Sequence, residues 1–146
     1  MIADYDIEGS DLGYRWNAKH GHKSLFPFGH GLSFTSFQTS GLKMSGLTAN
    51  FTVTNTGKRE GATVAQLYMT ANQAGPQQRL AGFARVDLKP GESQRVSISV
   101  DPRIVAEYME NGWEISAGTY KFVLGDSAEV LRLPALVKLP GRKIKP

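Results

Sequence analysis

The sequence predicts an all-β fold, an antiparallel two-sheet sandwich preceded by an extended aromatic lead segment. Three observations favour this fold. Several segments alternate apolar and polar residues with the period of two that is typical of half-buried strands. Clusters of Gly, Pro, Asn and Asp separate these segments at intervals of roughly ten residues. No apolar pattern with the period of a helix continues over a useful length.

The lead segment, residues 1–31, differs from the rest of the chain. It places Tyr5, Tyr14, Trp16 and other aromatic residues among glycines and histidines. Neither the strand period nor the helix period continues through it. We therefore expect an extended, loop-like segment whose aromatic side chains pack against another surface. Because the chain offers them no obvious helix or strand face, that surface is expected to lie outside it.

Residues 32–139 are predicted to form the sandwich itself. About seven strands are expected at the spacing of an immunoglobulin-like fold, over residues 36–44, 47–54, 62–70, 80–88, 94–100, 118–125 and 129–139. Asp101 and Pro102 are suited to the N-cap and first position of a short helix. Pro134 places the last strand at a sheet edge or a bulge. Residues 140–146 are predicted to be a solvated basic tail.

Composition excludes several classes of function. A chain of 146 residues fits a single domain. It contains no cysteine, which rules out disulfides, thiolate metal sites and a cysteine nucleophile. The net charge is +4, but the basic residues are scattered without a basic groove or stacking aromatics, so no nucleic-acid partner is predicted. No apolar run approaches ~18 residues, so no membrane-spanning helix is predicted.

Titratable residues that could support catalysis or bind a metal have simpler interpretations. Asp4, Asp6 and Glu8 could form a carboxylate pair for glycoside hydrolysis, but a solvated strand end is favoured. His20 and His22 stand between two lysines, which favours a polar loop over a zinc site. We therefore predict no catalytic residue, no metal site and no cofactor in this chain.

Three further residues leave two interpretations each. His30 lies between two glycines that allow a close approach of the backbone, so it either satisfies carbonyl groups in a tight bend or reaches a ligand such as an oligosaccharide. Trp16 and Trp113 are either sugar-stacking platforms or packing residues. Packing is favoured for both, because no row of aromatic residues appears on one strand face.

Four strings of the sequence resemble parts of a known family. They are GYRW (Gly13–Trp16) with LFPFGHGLSFTSF (Leu25–Phe37), VTNTGKREGATVAQLYM (Val53–Met69), LAGFARVDLKPGESQRVSISV (Leu80–Val100) and GTYKFVLGDSA (Gly118–Ala128). In this order they are similar to the C-terminal fibronectin type III-like domain of glycoside hydrolase family 3 enzymes of the β-glucosidase type. The first string resembles the junction between that domain and an α/β sandwich domain. The four strings are collinear and extend from residue 13 to residue 128.

The resemblance implies a non-catalytic role. Larger members of the family combine a TIM-like barrel with a nucleophilic Asp, an α/β sandwich domain with an acid/base Glu, and this module. Both catalytic motifs would lie upstream, so the chain alone is expected to be inactive. Its partners would be the two catalytic domains, which it would brace. The alternative is a free-standing sandwich that binds carbohydrate or protein. Export of the parent would place it in the periplasm or outside the cell.

The same resemblance implies an interface in the lead segment. Residues 1–31 would complete the preceding α/β domain, and the expected contact residues are Tyr14, Arg15, Trp16, Phe26, Phe28 and His30. Arg15 is expected to pair with a carboxylate of the neighbouring domain, in a bidentate geometry that lysine would not reproduce.

Overall fold

The computed structural model describes residues 11–110 and 112–144. The elements in this part of the chain are α1 (Tyr14–His20), β1 (Phe37–Ser45), β2 (Thr48–Asn55), β3 (Gly61–Asn72), β4 (Gly75–Leu88), β5 (Ser93–Ser99), α2 (Pro102–Val105), β6 (Glu107–Met109), β7 (Gly112–Ile115), β8 (Gly118–Gly125), β9 (Leu131–Leu139) and β10 (Arg142–Ile144). The carboxylates considered above, Asp4, Asp6 and Glu8, lie outside the described residues. Neither α1 nor α2, the helices of the described part, has the length and apolar character needed to cross a membrane.

Two antiparallel sheets enclose one apolar core. The first sheet has the strand order β1-β2-β5 and the second has the order β4-β3-β8-β9. All pairings within the two sheets are antiparallel. Buried apolar side chains from both sheets form a single cluster. The predicted all-β, two-sheet sandwich is therefore confirmed.

Alternation along the strands accounts for this core. In β2, Ala49, Phe51 and Val53 are buried, while the residues between them are half-buried. In β8, Tyr120 and Phe122 point into the same core, and the intervening Lys121 is exposed. Because neighbouring side chains of a strand point to opposite faces, each strand supplies one apolar face to the interior.

The seven predicted strands are all present, six of them with shifted ends. The largest shift is in β4, which begins at Gly75 instead of residue 80. Gly75 and Pro76 suggest a turn, but both pair with the end of β3 beyond an irregularity in the register. Pro134 lies in the edge strand β9, directly beside a register shift against β8, as expected for a residue that lacks a backbone N–H.

The short helix α2 forms as predicted. The Asp101 carboxylate accepts a hydrogen bond from the Arg103 N–H at 2.9 Å, and Pro102 occupies the first helical position. This satisfies one of the free N–H groups at the helix start and uses a residue whose fixed φ suits it. The helix ends at Val105, so the following residues are free to form strands.

A third, small sheet was not predicted. It has the order β10-β7-β6 and includes Arg142–Ile144, so three residues of the predicted tail pair as a strand, although Arg142 and Lys143 remain exposed. Ile144 pairs with Trp113 and packs against the main core. One apolar residue between basic ones is too short a pattern to reveal a strand, yet it is enough to anchor one against an existing apolar surface.

A fully buried asparagine joins separate parts of the chain. The Asn55 side chain donates hydrogen bonds to the carbonyl oxygens of Arg59 (2.7 Å) and Leu88 (3.0 Å). Its Oδ1 accepts from the Thr35 hydroxyl (2.8 Å) and from the Gly57 N–H (3.0 Å). All its polar groups are therefore paired, as a buried amide requires. The segment before β1 is fixed to the sandwich at this point.

Candidate domain interface

The lead segment contains a helix, which corrects the expected extended conformation for Tyr14–His20. Helix α1 is seven residues long and ends at Gly21, whose φ of 68° places it in the left-handed region. Its N–H donates to the Asn17 carbonyl, a common way to end a helix. A helix this short is unstable alone, so packing against the sandwich must hold it. Helix α1 has only seven residues, about two turns, which is too short to show a helical period in the sequence.

Tyr14 supplies much of that packing. Its ring stacks on Phe28 at a centroid distance of 4.9 Å and meets the edge of Tyr68 at 6.1 Å. Its hydroxyl accepts a hydrogen bond from the Leu80 N–H at 2.9 Å. The expectation that the lead aromatics lack partners within this chain is therefore wrong for Tyr14 and Phe28. Tyr14 packs on the outer face of the four-stranded sheet, and Phe28 covers Tyr14 while remaining 50% exposed.

A buried polar network fixes the second half of the lead. Tyr68 donates to Gln66 Oε1 at 2.6 Å, and Gln66 Nε2 donates to the Gly29 carbonyl at 3.1 Å and to the Asp126 carbonyl at 3.2 Å. Burial raises the pKa of the Tyr68 hydroxyl, which therefore remains a donor. The Ala128 N–H also donates to the Phe28 carbonyl at 2.8 Å. The lead is thus held by β3 and by the turn after β8.

Gly29 allows the close approach that this network needs. Its φ is 79°, and a Cβ at this position would overlap the Gln66 amide. The His30 N–H donates to the Pro27 carbonyl at 2.9 Å, which closes a tight turn with Gly29 at its third position, where positive φ is required. The turn therefore depends on glycine for both conformation and space.

We expect Gly29→Ala to loosen the lead without unfolding the sandwich. Positive φ costs a non-glycine residue roughly 1–2 kcal/mol, and the added methyl group also displaces Gln66 from its carbonyl partners. Hydrogen exchange at the Ala128 amide, which bonds to Phe28, should become at least about tenfold faster, since 1.4 kcal/mol corresponds to that factor. Gly31→Ala is the control, because a Cβ at residue 31 would meet no atom within 4 Å and the φ there is not positive. Equal exchange in the two variants would contradict the role of Gly29.

Arg15 already has a partner within the chain. Its guanidinium forms an ion pair with Asp11 at 2.8 Å, and Lys19 contacts the same carboxylate at 2.8 Å. The hydrogen bond from Lys19 is the main reason that the pKa of Asp11 lies below its usual value, and Arg15 adds to the effect. Pairing of Arg15 with a carboxylate on a neighbouring domain stays a prediction. Such a carboxylate would compete with Asp11.

The other predicted interface residues lie nearer to solvent. Trp16 is half-buried and its ring lies 3.9 Å from that of His20. Phe26 is 73% exposed and lies 5.9 Å from the ring of His30, which is itself exposed. The His30 side chain therefore satisfies no carbonyl group of the bend, although its backbone N–H does. His20 and His22 are exposed and belong to no group of three or more potential metal ligands in residues 11–110 and 112–144.

Two residues from the predicted start of the sandwich are also exposed. Leu32 is 94% exposed and Phe34 is 92% exposed. A surface groove runs from His30 and Leu32 to Val64 on β3, and Phe83 is exposed on the neighbouring strand. We name the set Leu25, Phe26, Leu32, Phe34 and Phe83 the seam surface. The missed signal was apolar residues without alternation in a Gly- and Ser-rich stretch.

Comparisons with known proteins agree with this architecture. The family model described as "Fibronectin type III-like domain" matches residues 63–128. The chain is 39% identical over 147 residues to a probable β-glucosidase I of Aspergillus clavatus, covering 86% of this chain and 18% of that protein. It is 35% identical over 144 residues to an exo-α-(1→6)-L-arabinopyranosidase of Bifidobacterium breve, covering 92% and 19%.

A solved structure shows the same fold. A β-glucosidase from Streptomyces venezuelae, crystallised with D-glucose, superimposes with a TM-score of 0.85 at 34% identity, covering 92% of this chain and 19% of that one. The chain thus spans less than a fifth of the length of these relatives. It belongs to the fibronectin type III-like domains, in the form that makes up one part of the glycoside hydrolase family 3 β-glucosidases.

Proposed function

We propose that this chain is a non-catalytic accessory domain that braces the catalytic domains of a family 3 exo-glycosidase. The observation that carries the proposal is the seam surface, where five large apolar side chains face solvent, four of them within residues 25–34 and the fifth, Phe83, on β4. Soluble proteins rarely expose contiguous apolar patches unless another surface covers them. The catalytic barrel and the α/β sandwich domain are the partners that this proposal assigns to it.

The energy of burying the seam surface is sufficient for a stable contact. Full burial of one large apolar side chain contributes roughly 1.5–3 kcal/mol. Leu32 and Phe34 are almost fully exposed, so each has nearly all of this contribution still to gain. Within one polypeptide the linker keeps the partner at a high effective concentration, so the entropic cost of association is small.

The seam surface is also held in place before any contact forms. Tyr14 packs against the sheet and carries Phe28 stacked on it, and Gln66 holds the Gly29 carbonyl. Thr35, next to Phe34, is hydrogen-bonded to the buried Asn55. A preorganised surface loses little conformational entropy on binding, which strengthens the contact.

A bracing role does not require the domain to select a sugar. The two relatives described above are named for different activities, a β-glucosidase and an arabinopyranosidase, yet this chain is similarly close to both. The proposal therefore assigns sugar selection and catalysis to the remaining four fifths of such enzymes. The isolated chain is expected to be inactive on aryl β-glucosides.

A chimera tests the proposal. We would replace the matching segment of the Streptomyces venezuelae β-glucosidase with this chain and measure Tm and kcat/KM. The chimera should be active, and Leu32→Ser with Phe34→Ser should lower its Tm by about 4 °C or more, since lost burial of a few kcal/mol shifts Tm by roughly 2–4 °C per kcal/mol in larger domains. Leu136→Ser is the control, because Leu136 is exposed on the edge strand β9 away from the seam.

The outcome separates bracing from independent function. If the seam double variant behaves like Leu136→Ser, the bracing proposal fails. His30→Ala in the same chimera tests a separate possibility, that the exposed His30 side chain reaches an oligosaccharide bound by the parent enzyme. That variant should raise KM while leaving Tm unchanged. A free-standing binding module remains the alternative, and an upstream coding sequence without an in-frame barrel and α/β domain would favour it.

A further inference from the structure

We propose that the small third sheet carries a carbohydrate-binding surface, in which Trp113 and Tyr108 receive a pyranose ring of an oligosaccharide. The inference rests on the isolated chain and does not depend on the proposed bracing function. It concerns a different part of the molecule from the seam surface.

The two aromatic residues form an exposed corner. Tyr108 in β6 and Trp113 in β7 are direct cross-strand partners. Their ring centroids lie 5.5 Å apart with an interplanar angle of 75°. Tyr108 is 70% exposed and Trp113 is 37% exposed. Both therefore offer aromatic surface to a ligand, and their position on paired strands fixes their relative orientation.

Polar groups line a cavity on the Trp113 side of this corner, which Tyr108 does not line. Trp113 and Met109 line a cavity of about 290 Å³ together with Glu110, Glu114 and Lys143. Lys143 and Glu114 are cross-strand partners between β10 and β7. The two carboxylates can accept hydrogen bonds from hydroxyl groups, while the ammonium group can donate them. The set of apolar surface with a few convergent polar groups is typical of a small-ligand site.

A pyranose ring has the matching chemistry. Its C–H faces are apolar and can stack on an aromatic ring, while its hydroxyl groups lie around the edge. The cavity is near the lower end of the roughly 300–1,000 Å³ range of ligand pockets, which suits one or two sugar rings. A stable protein partner would need about 800 Å² of contact on each side, far more than two aromatic rings provide. We therefore favour a saccharide over a protein.

The proposed saccharide site and the groove that joins Leu32 of the seam surface to Val64 lie at opposite ends of the four-stranded sheet. Strand β3 runs from Gly61 to Asn72, with Val64 near its start. At its other end, Asn72 donates a hydrogen bond to Glu107 in β6 at 2.9 Å. Eight residues of strand separate Val64 from Asn72, a distance of roughly 27 Å. A domain that packs on the seam surface would therefore leave Trp113 accessible to a polysaccharide chain.

The two tryptophans of the chain make the test specific. In a ¹⁵N-labelled sample each gives one indole N–H signal, and Trp113→Phe assigns them. On titration with cellohexaose, xylohexaose or maltohexaose, the Trp113 signal should shift with a Kd of about 1 mM or below, while the Trp16 signal should stay in place. Tyr108→Ala should weaken binding at least tenfold, whereas Tyr108→Phe should retain it.

The variants are chosen so that a loss of binding can be distinguished from a loss of folding. Tyr108 is largely exposed, so its replacement should preserve the backbone spectrum, and Glu114→Gln should weaken binding severalfold while keeping the side-chain shape. Phe83→Ala, on the seam surface, should bind like the wild type. The proposal is overturned if no oligosaccharide moves the Trp113 signal at about 10 mM. It is also overturned if Trp16 shifts in its place, or if Tyr108→Ala binds normally.

Discussion

Phe122→Ala is expected to lower the free energy of unfolding by about 3–5 kcal/mol, the usual loss for a phenylalanine removed from a close-packed core. The side chain is fully buried in the centre of the cluster shared by the two sheets. It stands between Tyr120 and Leu124 on the inner face of β8, a central strand of the four-stranded sheet. Its cross-strand partner Met69 is itself fully buried in the same cluster, so the site should close only partly around the cavity. Urea unfolding of the isolated chain measures the effect.

Lys121→Ala provides the matched control on the same strand. Lys121 is the immediate neighbour of Phe122 and is exposed, so its truncation should change the free energy of unfolding by no more than about 0.5 kcal/mol. The contrast between adjacent residues examines the assignment of the strand faces directly. A larger loss for Lys121→Ala than for Phe122→Ala would mean that the faces of β8 are reversed.

The sandwich could be predicted from the sequence because the apolar–polar alternation that specifies each strand lies within a few consecutive residues. Along β5, Val96 and Ile98 alternate with polar residues, and the structure buries both. A turn of Lys89–Glu92 separates β4 from β5, and the Lys89 N–H is hydrogen-bonded to the Glu92 carboxylate. Within each strand, the period of two reports which face is buried without reference to any other strand.

The remaining elements depend on contacts distant in sequence. Helix α1 is held through Tyr14 by Leu80, and β10 is held through Ile144 by Trp113. Neither segment is long enough to show a period, so only the assembled sandwich reveals the surface that stabilises it. The same limit explains the lead segment, whose turn at Gly29 is fixed by Gln66 on β3. Tertiary contacts determine these conformations, and the local sequence permits them.

Which side chains of the candidate interface are buried within the chain could not be predicted, for a related reason. Family resemblance pointed to residues such as Trp16 and Phe26, but it did not separate side chains that pack within the chain from those that remain exposed. The structure places Tyr14 largely against its own sheet and leaves Leu32 and Phe34 in solvent. An apolar residue in an irregular segment has no periodic face, so its burial cannot be deduced before the path of the backbone is known.

Asn55→Ala is expected to destabilise the chain by about 3–4 kcal/mol, although it removes little apolar surface. The substitution deletes four hydrogen bonds and leaves the carbonyl oxygen of Leu88 buried without this donor. It also frees Thr35 and the turn at Gly57, so the Gly57 amide, which donates to Asn55 Oδ1, should lose its hydrogen-exchange protection. Asn50→Ala, in the same strand but half-buried, is the control and should cost no more than about 1 kcal/mol.

Asn55→Asp distinguishes the loss of donors from the loss of side-chain volume. The carboxylate has nearly the same shape, but its ionised form cannot donate to the Arg59 and Leu88 carbonyl oxygens. Burial beside two carbonyl groups should raise the pKa of the new carboxyl above its unfolded value. A raised pKa of an acid means that stability is fully present below the unfolded pKa and is lost as pH rises from there through the folded pKa. Urea unfolding at about pH 3 and about pH 7 should therefore show Asn55→Asp approaching the wild type only at the lower pH. If its deficit relative to the wild type were the same at both pH values, the two donated hydrogen bonds would not be what makes Asn55 necessary.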